Sequence, residues 1–342
     1  MSVPVVEAAR RLADELLRPN AEDVEIAGVP PTHLAALAGA GLFGVSAPAA
    51  YGGSDQPSGV IREIVEVLSG ADASTWFVWT QHHTPVRTLV RGANDALRDR
   101  WLPRLAAGTS LAGVAYTHIR RPGPPAVRAR RTDGGWHIDG DLAWLTSWGL
   151  AEVFLVGAVD GDDLVWLLVP LATTNGVSAK ALDLVAMRGT STVSVHLDDV
   201  FVADVDVVLV EPVGEWRASD AERTADVSPA VFGVTGECVR RLDGDAASYL
   251  AAELDDLRAR AYGLQDAHGA RDERVAVRAQ AHALALRASA ALVAAGAGRS
   301  MLAGNPAQRL AREALFLLVQ GQDAQVRAAQ LSALSGLSGP AG

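Results

Sequence analysis

The chain has 342 residues and a mass of 35.7 kDa, which suits two or three domains better than one small one. Hydrophobic residues make up 49% and charged residues 20%, so apolar surface is ample to offset the entropy of ordering, and disorder is excluded over most of the length. The balance of 30 Lys and Arg against 40 Asp and Glu leaves a net charge of −10, a poor basis for gripping nucleic-acid phosphates.

The single cysteine, Cys238, excludes a disulfide framework and a Cys-rich metal site, and no metal is expected. No apolar run reaches the ~18 residues of a membrane span. Residues 1–19 read as an amphipathic helix carrying Glu7, Arg10, Arg11, Asp14 and Glu15, without the unbroken apolar stretch of a signal peptide. A soluble, cytoplasmic protein is the expectation.

Three regions follow in order: a helical domain over 1–108, a β domain over 109–215, and a helical bundle over 216–335, with a short tail over 336–342. In the first, apolar residues at helical spacing open the chain. Further helices are expected at 31–40, 57–68, 74–91 and 94–107, with Asn94 as N-cap. A turn-rich loop over 47–53 interrupts them.

In the second region β-rich runs recur at 111–116, 127–131, 136–139, 153–159, 164–169 and 193–202. Turn residues separate them, among them Asp133-Gly134-Gly135, Asp160-Gly161-Asp162-Asp163 and Thr174-Asn175-Gly176. Close spacing with such turns predicts an antiparallel barrel or sandwich. In the third, helices are expected at 228–242, 246–267, 271–295, 305–318 and 323–334, with Ala276, Ala279, Ala283 and Ala290 allowing close helix approach. The tail from Ser335 to Gly342 is expected to fray.

Four stretches resemble the acyl-CoA dehydrogenase family of flavoproteins. Leu37 to Gly44, with Pro48 and Tyr51-Gly52-Gly53, is similar to its "EAGLFG…P…YGG". Gly135-Trp136-His137-Ile138-Asp139-Gly140 with Trp144-Leu145-Thr146-Ser147 is similar to "GGYxLNGxKxWITN". Met187-Arg188-Gly189-Thr190-Ser191-Thr192 is similar to "MRGSST", and Asp198 to Val202 to the strand that follows it. The resemblance implies the family's α+β multidomain fold, and FAD wedged between the β domain and the C-terminal bundle. It places Trp144 near the flavin ring, Thr146 and Ser147 at its polar edge, and Thr117 as a further flavin contact. Arg188, Gly189 and Thr190 fall to substrate binding. Hydroxyls and amides at strand ends suit a flavin's polar edge while an aromatic covers its face.

Three departures bear on function. The family's "TEPGAGSD" loop is replaced by Thr117-His118-Ile119-Arg120-Arg121-Pro122-Gly123-Pro124-Pro125. With Arg128, Arg130 and Arg131, its arginines either meet a phosphorylated group or form a solvated face. The family's "RxxFGxxxxxxQ" segment, which reaches the FAD of a neighbouring subunit, is missing; a turn at Asp243-Gly244-Asp245 joins two helices directly. Finally, a gapless match through Arg312-Glu313-Ala314 puts Gly321 where the family's catalytic Glu stands.

Removal of an α-proton needs a carboxylate, and donors polarising the thioester carbonyl. Some members of the family carry the base at the start of the bundle's first helix, a position that falls on Asp226 here. Asp226 is the candidate base; the competing reading is a helix cap. His82 and His83, adjacent on one helix, face different sides and suit no joint metal site. They read as structural or substrate-facing, and Trp76, Phe77, Trp79 and Cys238 as core.

The function expected is α,β-dehydrogenation of an acyl-CoA or acyl-carrier-protein thioester. Electron-transfer flavoprotein is the expected acceptor, and the assembly a homo-oligomer or a heteromer with a second family member; neither nucleic acid nor membrane is an expected partner. The alternatives are a base-less partner subunit of a heteromeric dehydrogenase, and an oxygen-using flavin enzyme on the same fold.

Overall fold

The computed structural model describes residues 3–171 and 176–336. Its elements run helices, strands, helices. The first helix does not stop at Pro19. Helix α1 (Pro4–Leu12) passes through a π-helical turn (Ala13–Leu17) into α2 (Arg18–Ala27). Proline has no N–H to donate inside a helix, and the widened turn before Pro19 accommodates the missing bond. Helices α3 (Pro31–Gly39), α4 (Ser58–Ala71), α5 (Ala73–Arg91) and α6 (Asp95–Ala106) follow. Asn94 caps α6 as predicted, accepting from Leu97 N at 3.1 Å. Asp72 caps α5 through Ser74 N and Thr75 N.

Eight strands come next: β1 (Ala112–Ala115), β2 (Val127–Thr132), β3 (Gly135–Leu145), β4 (Val153–Asp160), β5 (Asp163–Pro170), β6 (Val177–Ala181), β7 (Val193–Ala203) and β8 (Val207–Pro212). They form one sheet in the order β6-β7-β3-β2-β4-β5-β8, with β1 also on β4. This corrects the purely antiparallel expectation, because β1 and β2 both run parallel to β4. Residues 172–175, which hold most of the expected Thr174-Asn175-Gly176 turn, lie outside the described residues, as does the tail beyond Gly336.

Alternate residues of β4 and β5 enter two different cores. Phe154, Val156, Ala158, Val165, Leu167 and Val169 pack with β3, β7 and the bundle. Val153, Leu155, Val159, Leu164, Trp166 and Leu168 pack with α5, α6 and Trp216. Both faces are covered, which explains why these strands are continuously apolar rather than alternating.

Helix α7 (Val213–Thr224) packs Trp216 against the sheet, and the bundle holds α8 (Pro229–Arg240), α9 (Gly244–Asp266), α10 (Arg271–Ala295), α11 (Pro306–Val319) and α12 (Ala324–Ser335). Helix α8 gives way to α9 at Asp243-Gly244, as the missing segment predicts. Of the four alanines expected to mediate close packing, Ala279 is buried, but Ala276 and Ala290 face solvent. The closest crossing lies elsewhere, between α4 and α8. A Cβ on Gly233 would fall 2.3 Å from Glu66 O, and one on Gly70 2.7 Å from Gly233 O, so the two backbones touch where only glycine fits. Cys238 sits in this core, fully buried, its thiol pushed up to about 12 by burial.

Candidate active site

Strand β3 ends at Leu145, and the next two residues meet the loop before β7. Ser147 N donates to Thr190 O (3.1 Å) and Trp148 N to Ser191 O (3.0 Å). Three non-glycine residues here take the left-handed conformation: Ser147 (φ 71°), Met187 (φ 60°) and Ser191 (φ 51°). Such backbone is costly and gathers where side chains must be aimed.

Three hydroxyls form a chain across this junction. Thr146 Oγ1 lies 2.9 Å from Thr192 Oγ1, which lies 2.7 Å from Thr190 Oγ1, which lies 2.7 Å from Met187 O. A carbonyl only accepts, so Thr190 donates to Met187 O, Thr192 to Thr190, and Thr146 to Thr192. The direction leaves Thr146 with acceptor lone pairs and no proton to give. Beside it, Ser147 Oγ is buried with no hydrogen-bond partner.

The other residues expected from sequence divide. Trp144, one position before the strand end, is 48% exposed, an indole with one bare face rather than a packed core residue. Thr117 is exposed on a 3₁₀ turn (Thr117–Arg120) that follows β1. Thr190 is fully buried, and Gly189 is held where a Cβ would meet Val24 O at 2.4 Å. Those two residues serve the loop's own architecture. Arg188 instead points to a separate cavity of about 430 Å³ with Glu22, Glu25, Asp183, Arg309 and Arg312. Behind that cavity lies a buried ionic cluster. Arg309 pairs with Glu22 (3.0 Å) and Glu313 (2.7 Å), and burial raises the Glu313 carboxyl and lifts Asp72 to about 6.

Asp226 does not cap α8: Ser228 holds the N-cap position, and the Asp226 carboxylate turns to α9 and α10 instead. Oδ1 accepts from Arg274 Nη1 at 3.0 Å and Oδ2 from Gln265 Nε2 at 3.5 Å. The cap reading is thereby overturned, and Oδ2 is the less committed oxygen.

Along α10, Arg271, Arg274 and Arg278 lie three and four residues apart on one face. Arg271 pairs with Asp323 (2.5 Å), and Arg274 also pairs with Glu222. Arg278 is buried and bonds only carbonyls, Thr224 O and Gln320 O. The five arginines of the substituted loop and β2 do not converge. Arg120 forks onto Asp220 of α7, Arg130 pairs with Asp199 and Arg131 with Asp204, while Arg121 and Arg128 face solvent.

His82 and His83 are both buried, with rings 5.5 Å apart. His82 Nδ1 accepts from Ala112 N, and desolvation pushes its pKa down to about 3; desolvation likewise holds His83 well below its ordinary range. They are neutral core histidines. Trp76 and Trp79 are core as well, and Phe77 packs on Phe316.

Residues 4–109 match the model of the acyl-CoA dehydrogenase N-terminal domain. An isovaleryl-CoA dehydrogenase from Arabidopsis thaliana is 25% identical over 68% of this chain and 60% of its own length. The chain adopts the fold of butyryl-CoA dehydrogenase from Megasphaera elsdenii (TM-score 0.78, 15% identity, 97% of each chain). It equally matches a glutaryl-CoA dehydrogenase from Mycobacterium smegmatis in complex with FADH2 (TM-score 0.81, 18% identity, 97% of this chain and 94% of that one). Over residues 4–109 the chain carries an acyl-CoA dehydrogenase N-terminal domain. Among the curated relatives, the oxygenase component of an FADH(2)-dependent resorcinol hydroxylase from Rhizobium sp. is 31% identical over 58% of this chain and 48% of its own. The matches span about half to three fifths of the first curated relatives, from 52% to 60% of their length.

The junction of β3 with the 187–192 loop thus gathers the half-exposed Trp144 indole, the acceptor at Thr146 and the orphaned Ser147 hydroxyl. Thr192 and Arg278 stand at this site without a role in the sequence pattern. Thr192 lies inside the Met187–Thr192 motif, and its place in the hydroxyl chain depends on Thr146 across the junction. Arg278 carries a readable signal, a charge set between Val277 and Ala279 on the buried face of its helix.

Proposed function

We propose that the chain is a flavin-dependent dehydrogenase of acyl thioesters, carried on CoA or an acyl carrier protein, with FAD as its cofactor. The observation that carries this reading is the junction of β3 with the 187–192 loop. There an exposed indole (Trp144), the open end of a directed hydroxyl chain (Thr146) and an unpartnered buried hydroxyl (Ser147) stand within four residues of one another along the chain. Bound FAD supplies the hydride acceptor for the substrate's β-carbon. Trp144 covers a flat ring, Thr146 accepts a hydrogen bond from a ring N–H, and Ser147 and Thr117 meet polar edge atoms.

Asp226 is the candidate base. Its Oδ2 is the oxygen with an open lone pair, and Arg274, bonded to Oδ1, orients the carboxylate to take a proton. Electron-transfer flavoprotein is the proposed acceptor of the electrons, reached on the side where Trp144 is bare.

The test is flavin content. The purified protein should carry close to one flavin per chain, and Trp144→Ala should shift the flavin's visible bands or lower its retention. A colourless wild-type protein that takes up no added FAD contradicts the proposal. A second reading, oxygen-dependent flavin chemistry, is favoured by the 31% identity to a hydroxylase oxygenase component and by a glycine at the family's usual carboxylate position. Product formation that requires dioxygen would select it.

A further inference from the structure

The position that carries the family's catalytic Glu is not merely vacant. Gly321 has φ 62°, and a Cβ built there would lie 3.7 Å from Arg120 Nη1 and 4.0 Å from Arg278 Nη2. Two guanidinium groups therefore face the spot. Arg120 uses Nε and Nη2 on Asp220, at 2.6 and 3.0 Å, and turns Nη1 towards Gly321. Its guanidinium also stacks 5.1 Å from the Tyr116 ring.

Arg278 is the less satisfied of the pair. It is 5% exposed, its Nη1 and Nη2 meet carbonyls, and among the described residues its Nε has no hydrogen-bond partner and no carboxylate bonds it. Asp323 and Asp226, the nearest acids, are taken by Arg271 and Arg274. Desolvation, together with the charge of Arg120, pushes Arg278 down to about 10, still cationic at neutral pH. A buried cation without a counter-ion is costly unless an anion is brought to it.

We propose that Arg120 and Arg278 form an anion site at Gly321 that takes a carboxylate on the acyl group of the substrate. The inference rests on the acyl-thioester reading above and names its substrate class: an acyl group bearing a second carboxylate, held where the family's own Glu is missing. Paired guanidinium groups suit a planar carboxylate because each offers directed N–H donors as well as charge. Gly321 is half-buried and Arg120 keeps 17% of its side chain exposed, so the site opens to solvent on one side.

The experiment compares succinyl-CoA, butyryl-CoA and free CoA by calorimetric titration of the flavin-loaded protein. The two acyl groups have equal length and differ in one terminal carboxylate; all three ligands share the same phosphates. The expected result is succinyl-CoA binding at least about tenfold tighter than butyryl-CoA, as one charge-assisted contact supplies. Arg120→Gln should bring the two within about twofold; Asp220 keeps Arg223 at 3.5 Å in that variant. Arg278 also ties two helix ends, so the second variant is Gly321→Glu, which tethers a carboxylate in the site and should abolish the preference.

Equal affinities in the wild type overturn the inference and leave the acyl-CoA reading standing. A loss of affinity for all three ligands alike in Arg120→Gln assigns the site to a phosphate and overturns it too. Binding of no ligand overturns both.

Discussion

Replacing Thr190 by valine removes one oxygen and changes little else in shape. That oxygen is fully buried, donates to Met187 O at 2.7 Å and receives from Thr192 Oγ1 at 2.7 Å. Met187 O keeps Thr190 N as a donor at 3.2 Å, so the net loss is two hydrogen bonds. At about 1 kcal/mol for each bond, the cost is roughly 2 kcal/mol. With ~2.1 cal/mol/K of unfolding entropy per residue over 342 residues, Tm should fall by about 3 °C.

The functional consequence is larger in kind. Without Thr190 the Thr192 proton turns towards Thr146, where it takes one of the two lone pairs and leaves the Thr146 proton facing the junction in place of an acceptor. Thr190→Val should therefore weaken flavin retention by about fivefold or more, although no atom of Thr190 reaches the flavin site. Thermal melts and flavin-release titrations of Thr190→Val, Thr146→Val and the double variant measure both effects. The cycle should show a coupling of at least ~0.5 kcal/mol. A stability loss below ~0.5 kcal/mol with unchanged flavin affinity refutes the directed chain.

The buried acids behind the Arg188 cavity set a pH dependence. The folded pKa of Asp72 and Glu313 lies above the unfolded value, because burial penalises their charged forms. The native state thus holds the extra protons, and the contribution of these groups to stability falls as pH rises from about 4 to 8. Glu313→Gln should flatten that fall, because it removes one of the two groups that lose a proton; a denaturant-unfolding free energy that falls with pH as steeply as in wild type contradicts this. Gly233→Ala should cost about 1–3 kcal/mol in denaturant unfolding by forcing α4 and α8 apart. Gly236→Ala, whose nearest neighbour would be Leu254 Cδ2 at 3.8 Å, should be neutral or gain a few tenths from helix propensity. Asp226→Asn should retain flavin yet slow its reduction by an acyl-CoA at least ~100-fold; bleaching at the wild-type rate removes Asp226 as the base.

Much of the fold was legible because burial writes itself into residue type. The apolar runs of β4 and β5 and the amphipathic helices fall within a few residues of their expected places. What escaped were elements with weak local signal. Strand β6, Val-Ser-Ala-Lys-Ala, is a polar edge strand, and α7 carries Gly214 and a mostly charged surface. The parallel pairings of β1 and β2 with β4 are non-local and leave no mark on turn composition.

At the site, motif position located Thr146, Ser147 and Thr190, which the structure does bring together. It could not foresee that Thr190 and Gly189 would be committed to the loop itself, or that Arg188 would turn to another cavity. Asp226, the candidate base, also suited a helix cap because it precedes a helix, and only the approach of Arg274 from α10 removes the cap reading. Arg120 and Arg278 stand 158 positions apart in the sequence, and no local pattern could pair them at Gly321.

The most direct test of the account is an anaerobic titration of the flavin-loaded protein with acyl-CoAs, following the visible flavin bands. The account predicts bleaching without oxygen by an acyl thioester, with formation of the α,β-unsaturated product. Yellow protein whose bands stay unchanged with every acyl-CoA, and which turns over only when oxygen is admitted, would contradict it.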